Sequence, residues 1–178
     1  MIYVYGNSHA NIFTRQSPGF LGDFTHGSFK SHAKRPLSGR NFIHSDWVFL
    51  TQFMNGLNKE KDHVLITTGE HDCRVDLHSI NEIHPYIDNF FQVILKLKNE
   101  GYRPIGWGSH PSINIPFSIE WDSYMKQKCE VADILFISIL ETVIKNNALN
   151  KTYYIDDIHL NNNIMPIVEL KLQHNQCI

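Results

Sequence analysis

The chain has little of what marks several protein classes. Its three cysteines, Cys73, Cys129 and Cys177, are scattered, with no Cys-x-x-Cys pair among its 178 residues. An odd, dispersed set excludes a disulfide framework and a cysteine-based metal site, and it suits a reducing compartment. No segment approaches the ~18 consecutive apolar residues that read as a membrane span. The first residues, Met-Ile-Tyr-Val-Tyr-Gly, offer neither a basic n-region nor an apolar stretch of signal-peptide length. A soluble cytoplasmic protein with no membrane partner is expected. Charge of one sign is lacking too. The formal net charge is −2, and the nearest approach to a basic cluster, Lys34, Arg35 and Arg40, is diluted by polar neighbours. That pattern belongs to a solvated loop, and no nucleic-acid partner is expected. Repeats, low-complexity linkers and breaks in composition are also missing, which predicts a single domain over 1–178.

What is present is ordinary globular material: 42% hydrophobic and 19% charged residues, in a chain long enough to bury a core without metals or disulfides. Ile2–Tyr5 is a short apolar run ending at Gly6 and reads as a buried first strand. Ser8–Arg15 opens a helix. From Pro18 to about Arg40 runs a segment without clear periodicity, long enough to suggest a functional loop. Asp46 reads as the N-cap of a helix carrying Trp47, Val48, Leu50, Phe53 and Met54. His63–Thr68 and Arg103–Trp107 read as central strands and Ile134–Ile139 as a further apolar run. Ile83–Glu100 and Ile119–Glu130 read as helices, and a last helix spans Met165–Leu172 with Pro166 in its first turn. Strands and helices in alternation predict a parallel sheet covered on both faces. In such sheets ligands bind beyond the carboxyl ends of the strands. Three polar clusters fall there: Gly6–His9, Gly69–Arg74 and Gly108–His110.

Each cluster has a chemical reading and a plain one. Ser8 in Gly6-Asn7-Ser8-His9 sits at a strand–helix turn. There a hydroxyl is exposed beside backbone N–H groups, which suits a nucleophile and an oxyanion site, or simply a helix cap. Asp156-Asp157-Ile158-His159 supplies a base and the acceptor that fixes its tautomer, or a surface turn. Gly69-Glu70-His71-Asp72-Cys73-Arg74 offers donors to a ligand, or a loop held by an Asp72–Arg74 pair. With eleven histidines, composition alone nominates no metal site.

Taken in order, these clusters resemble the conserved blocks of the SGNH (GDSL-type) hydrolases. Gly6-Asn7-Ser8-His9 is similar to block I, Gly69-Glu70-His71-Asp72 to block III (Gly-x-Asn-Asp) and Asp156-x-x-His159 to block V. Gly-Glu-x-Asp-Cys-Arg also resembles a variant from SGNH-like proteins of bacterial surface-polysaccharide clusters. The resemblance implies a three-layer α/β/α, flavodoxin-like fold around a central parallel sheet. It also implies ester or acyl-transfer chemistry with Ser8 as nucleophile, His159 as base and Asp156 as its orienting acid. Neither metal nor other cofactor is called for. The oxyanion would be held by the N–H of Ser8 and by that of a block II glycine, Gly39 or its competitor Gly27. His71, Asp72 and Arg74 would serve the oxyanion or the substrate. Two positions depart from the pattern: Asn7 replaces the usual Asp, and His71 replaces the usual oxyanion Asn. The expected substrate is a small-molecule or carbohydrate ester. The alternatives are an O-acetyltransferase with the same triad and a non-catalytic binding module of the same fold. A third is a metallophosphoesterase, whose motifs His9, His71, Asp72, His110 and His159 faintly resemble.

Overall fold

In the computed structural model, residues 1–17, 20–34, 42 and 44–178 are described. Five strands run parallel in the order β3 (Phe29–Ala33), β1 (Ile2–Gly6), β4 (His63–Thr67), β5 (Pro104–Trp107), β6 (Leu135–Ile137). Strand β2 (Gly22–His26) adds an antiparallel edge to β3. The sheet is therefore mixed rather than wholly parallel, and the hairpin lies inside the segment that reads as a structureless loop. Its signal is a short period-2 alternation: Phe29, Ser31 and Ala33 are buried while Lys30 and His32 are half-exposed. Serine and alanine in the inward row hide that pattern from a hydrophobicity reading. Gly27 takes φ +55 in the hairpin turn.

Period-2 alternation also builds the layers. Tyr3, Tyr5, Val64 and Ile66 face one cluster, shared with α1 (His44–Phe53), α2 (Ile83–Asn99) and α3 (Ile115–Val131). Ile2, Val4, Leu65, Ile105 and Trp107 face the other, against the 3₁₀ helix Ser8–Thr14 and α5 (Met165–His174). The result is three layers, α/β/α. Pro85 lies in the first turn of α2, where its missing N–H costs nothing, and does not interrupt the helix. Asp46 proves to be a first-turn residue of α1, buried and ion-paired with Lys34 at the end of β3, and not its cap. Between β6 and the C-terminal loop come α4 (Leu140–Val143) and a small hairpin of β7 (Ile144–Lys145) and β8 (Ala148–Leu149). Its turn residues Asn146 and Asn147 both have positive φ. Among the described residues no helix is long and apolar enough to cross a membrane.

Strand β1 has β3 on one side and β4 on the other. The chain leaves β1 in one direction, then returns across it to continue the sheet. Loops after β1 and β4 therefore diverge, opening a crevice at the carboxyl end of β1, the topological switch point where α/β sheets bind ligands.

Candidate active site

Ser8 stands at that crevice. Asn7, extended at φ −78 and ψ −161, caps the 3₁₀ helix: its Oδ1 accepts the N–H of His9 at 3.1 Å. This turn ends the strand abruptly and leaves the Ser8 hydroxyl half-buried at the sheet edge. Gly6, just before it, lies so close to β4 that a Cβ would fall 1.8 Å from Oγ1 of Thr67.

The other half of the site arrives from the far end of the chain. Ser8 Oγ lies 3.4 Å from His159 Nε2, and His159 Nδ1 lies 2.9 Å from Asp156 Oδ2. The first contact is longer than the roughly 3 Å of a tight hydrogen bond and remains within donor reach. Asp156 Oδ1 also accepts the backbone N–H groups of Ile158 (2.7 Å) and His159 (2.6 Å). Desolvation raises the Asp156 pKa, but the His159 ring and these two amides outweigh it and bring the carboxyl down to about 2. An ionised Asp156 accepts the Nδ1 hydrogen, so Nε2 presents its lone pair to Ser8. A tether holds this loop to the one following β5: Tyr154 Oη donates to the carbonyl of Pro111.

The cluster after β4 is placed differently from its sequence reading. Gly69 adopts φ +101 against Trp121 and Ser109, a conformation and a close approach that only glycine allows. Asp72 opens a π-helical turn, Asp72–Asp76, and is fully buried. Its carboxylate accepts the Gly69 N–H at 2.9 Å and the Tyr86 hydroxyl, so it braces the turn from within. Arg74 does not pair with Asp72: its Nε donates to Glu70 Oε1 at 2.6 Å, one helical turn away. His71 is partly exposed, with Nδ1 3.7 Å from Asp76 Oδ2. Gly39 lies outside the described residues. Gly27 is excluded as its substitute, because the β2–β3 turn lies beside Ile2 at the opposite edge of the sheet from Ser8.

No known family profile matches the chain, and no curated protein matches it in sequence. Solved structures do match in shape. A GDSL-like lipase from Bacteroides thetaiotaomicron superposes with TM-score 0.68 at 15% identity, covering 98% of this chain and 86% of its own. An acetyl xylan esterase gives 0.67 at 12% identity, with 98% and 99% covered. The psychrotrophic esterase EstA from Pseudoalteromonas sp., solved inhibited by monoethylphosphonate, gives 0.58 at 13% identity, with 97% and 94% covered. The chain has the SGNH-hydrolase fold.

Within that fold, the residue least visible in sequence is Glu70. It is buried, and its second oxygen lies 3.1 Å from Nε2 of His9, a residue 61 positions away. Burial lowers the His9 pKa against the opposing pull of Glu70. Desolvation raises that of Glu70, yet the hydrogen bonds it accepts from His9 and Arg74 carry it well below the usual carboxylate range. The consistent state is a neutral His9 donating from Nε2 to an ionised Glu70. Among the described residues no group of three or more His, Cys, Asp or Glu side chains is arranged to hold a metal ion. His9 and His159 are engaged with carboxylates, and His71 faces Asp76 instead, which speaks against a two-metal phosphoesterase.

Proposed function

We propose that this chain is a serine-dependent ester hydrolase in which Ser8, His159 and Asp156 form the catalytic triad. The carrying observation is the aligned pair of contacts from Ser8 Oγ to His159 Nε2 and from His159 Nδ1 to Asp156. In this reading Nε2 takes the Ser8 proton as Oγ bonds to the ester carbonyl carbon. The same proton passes to the departing alcohol oxygen as the tetrahedral intermediate collapses. Water then attacks the acyl-serine and gives a proton to Nε2. The carboxylic acid leaves as that proton returns to Ser8. Asp156 stays ionised throughout and stabilises the transient imidazolium. At the β1 turn the N–H of His9 serves the Asn7 side chain and that of Ala10 the Asn7 carbonyl, so the Ser8 N–H is the amide assigned to the oxyanion. His71 and Gly39 are candidates for a second donor, and Arg74 for the substrate side.

For the substrate we favour O-acyl groups on carbohydrates. The Gly69-Glu70-His71-Asp72-Cys73-Arg74 run, similar to that of SGNH-like proteins from polysaccharide clusters, supports this, as does the shape shared with an acetyl xylan esterase. Turnover of p-nitrophenyl acetate by wild type, Ser8→Ala and His159→Ala, with and without EDTA, tests the triad. The expected result is EDTA-insensitive turnover that both substitutions abolish. Equal rates in all three proteins would overturn it. Acetate release from acetylated oligosaccharides then tests the substrate class.

A further inference from the structure

A largely buried pair of polar contacts ends at a ring that stacks on His159. Arg74 Nε donates to Glu70 Oε1, and Glu70 Oε2 accepts from His9. The His9 ring lies against that of His159, with centroids 5.2 Å apart and planes 30° apart. His110 meets His9 edge-on at 4.1 Å. The groups facing His159 are thus Asp156 on its own loop, His9 from the 3₁₀ helix and His110 from the loop after β5. Glu70 and Arg74 stand behind His9.

The placement of charge is unusual. The Glu70 side chain is 2% exposed, whereas Asp156 is 53% exposed. Taking a carboxylate out of water is unfavourable before pairing, and a well-packed apolar residue would serve a structural brace at less cost. A carboxylate screened from solvent acts on its surroundings more strongly than one in water. Beyond its direct partners, Glu70 acts on His110, which meets His9 edge-on, and across the His9 ring it faces His159. His9, with its hydrogen pledged to Glu70, presents a fixed ring that does not compete for the Ser8 proton.

We propose that Arg74, Glu70 and His9 form a second electrostatic support for His159, fixing the ring on which it rests and setting, through the balance of the two charges, the pH range over which it acts. His9 and Glu70 are in this sense positioning residues. The proposal rests on His159 being the base, and it predicts effects of opposite sign. Glu70→Gln leaves the Arg74 charge uncompensated, so protonation of His159 becomes harder. Arg74→Gln leaves Glu70 uncompensated, so protonation becomes easier.

The experiment is the pH profile of kcat/KM for p-nitrophenyl acetate in wild type, Glu70→Gln, Arg74→Gln and His9→Phe. The acid limb is expected to move down in Glu70→Gln and up in Arg74→Gln, each by roughly half a pH unit or more. His9→Phe keeps an aromatic ring but breaks the link to Glu70, so kcat should fall with KM little changed. Limbs that coincide with wild type, whatever the loss of rate, would overturn the proposal and leave a loop brace. If Glu70→Gln fails to fold, the upward shift in half-exposed Arg74→Gln decides alone. NMR titration of the His159 ring in Ser8→Ala protein reads the same displacements without turnover. Opposite displacements there sustain the proposal even if no ester is hydrolysed, and unmoved titrations end it.

Discussion

Tyr154 donates its phenolic hydrogen to the backbone carbonyl of Pro111 across 2.5 Å, out of contact with water. This bond ties the loop bearing Asp156 and His159 to the loop bearing His110. Tyr154→Phe removes the donor and leaves a buried carbonyl without its partner. A loss of about 1–3 kcal/mol in stability is expected from urea denaturation. The fall in kcat should exceed any change in KM, because the base loses its anchor.

Asp156 fixes the tautomer of His159. Asp156→Asn should present the wrong ring nitrogen to Ser8 and lower kcat by roughly 10³–10⁴-fold, judged from how such triads behave. Its carboxyl is depressed from an ordinary 3.8 to about 2 in the folded chain. The stability it contributes is therefore present above pH 3.8 and is lost as pH falls toward 2. Acid unfolding of wild type and Asp156→Asn should accordingly converge at the low end of that window.

Asp122 carries the opposite sign. Buried on α3 beside Gly108, it is raised by desolvation to about 6, although the Ser138 hydroxyl donates to it at 2.7 Å. The unfolded chain releases this proton near 3.8 and the folded one near 6, so stability is lost as pH rises between them. Asp122→Asn keeps an acceptor for Ser138 without the charge. It should raise the thermal midpoint at pH 7, by an amount corresponding to roughly 1–3 kcal/mol, and change little at pH 4. Equal shifts at both pH values would count against this account.

Gly69→Ala tests the turn after β4. A Cβ there would sit 2.8 Å from the Trp121 ring and 2.9 Å from Ser109, at φ +101. Backbone strain and overpacking together should cost about 3 kcal/mol or more, read from thermal or urea unfolding.

Local spacing carried most of what the sequence disclosed. Asp156 and His159 lie three residues apart and bond within one turn, and Ser8 follows the first strand closely, so their placement is legible from adjacent letters. The Glu70–His9 pair is not, because its members meet only after β1 and β4 have paired in register. Arg74 follows the same logic in miniature. Two residues from Asp72 it reads as that residue's partner, but the π-helical turn aims it back four residues to Glu70. Hairpin β2–β3 escaped for a different reason. The edge strand β2 buries none of its five residues, and the inward row of β3 is Phe29, Ser31 and Ala33, with one large apolar side chain among them.

Ser8 and His159 are separated by 151 residues in the chain. During synthesis the serine emerges well before its partner, and the intervening strands must be laid side by side before the two can meet. A partly made chain thus holds an inert hydroxyl. In the proposed triad, only closure of the Asp156–His159 loop against the assembled sheet arms it, so turnover would report directly on complete folding.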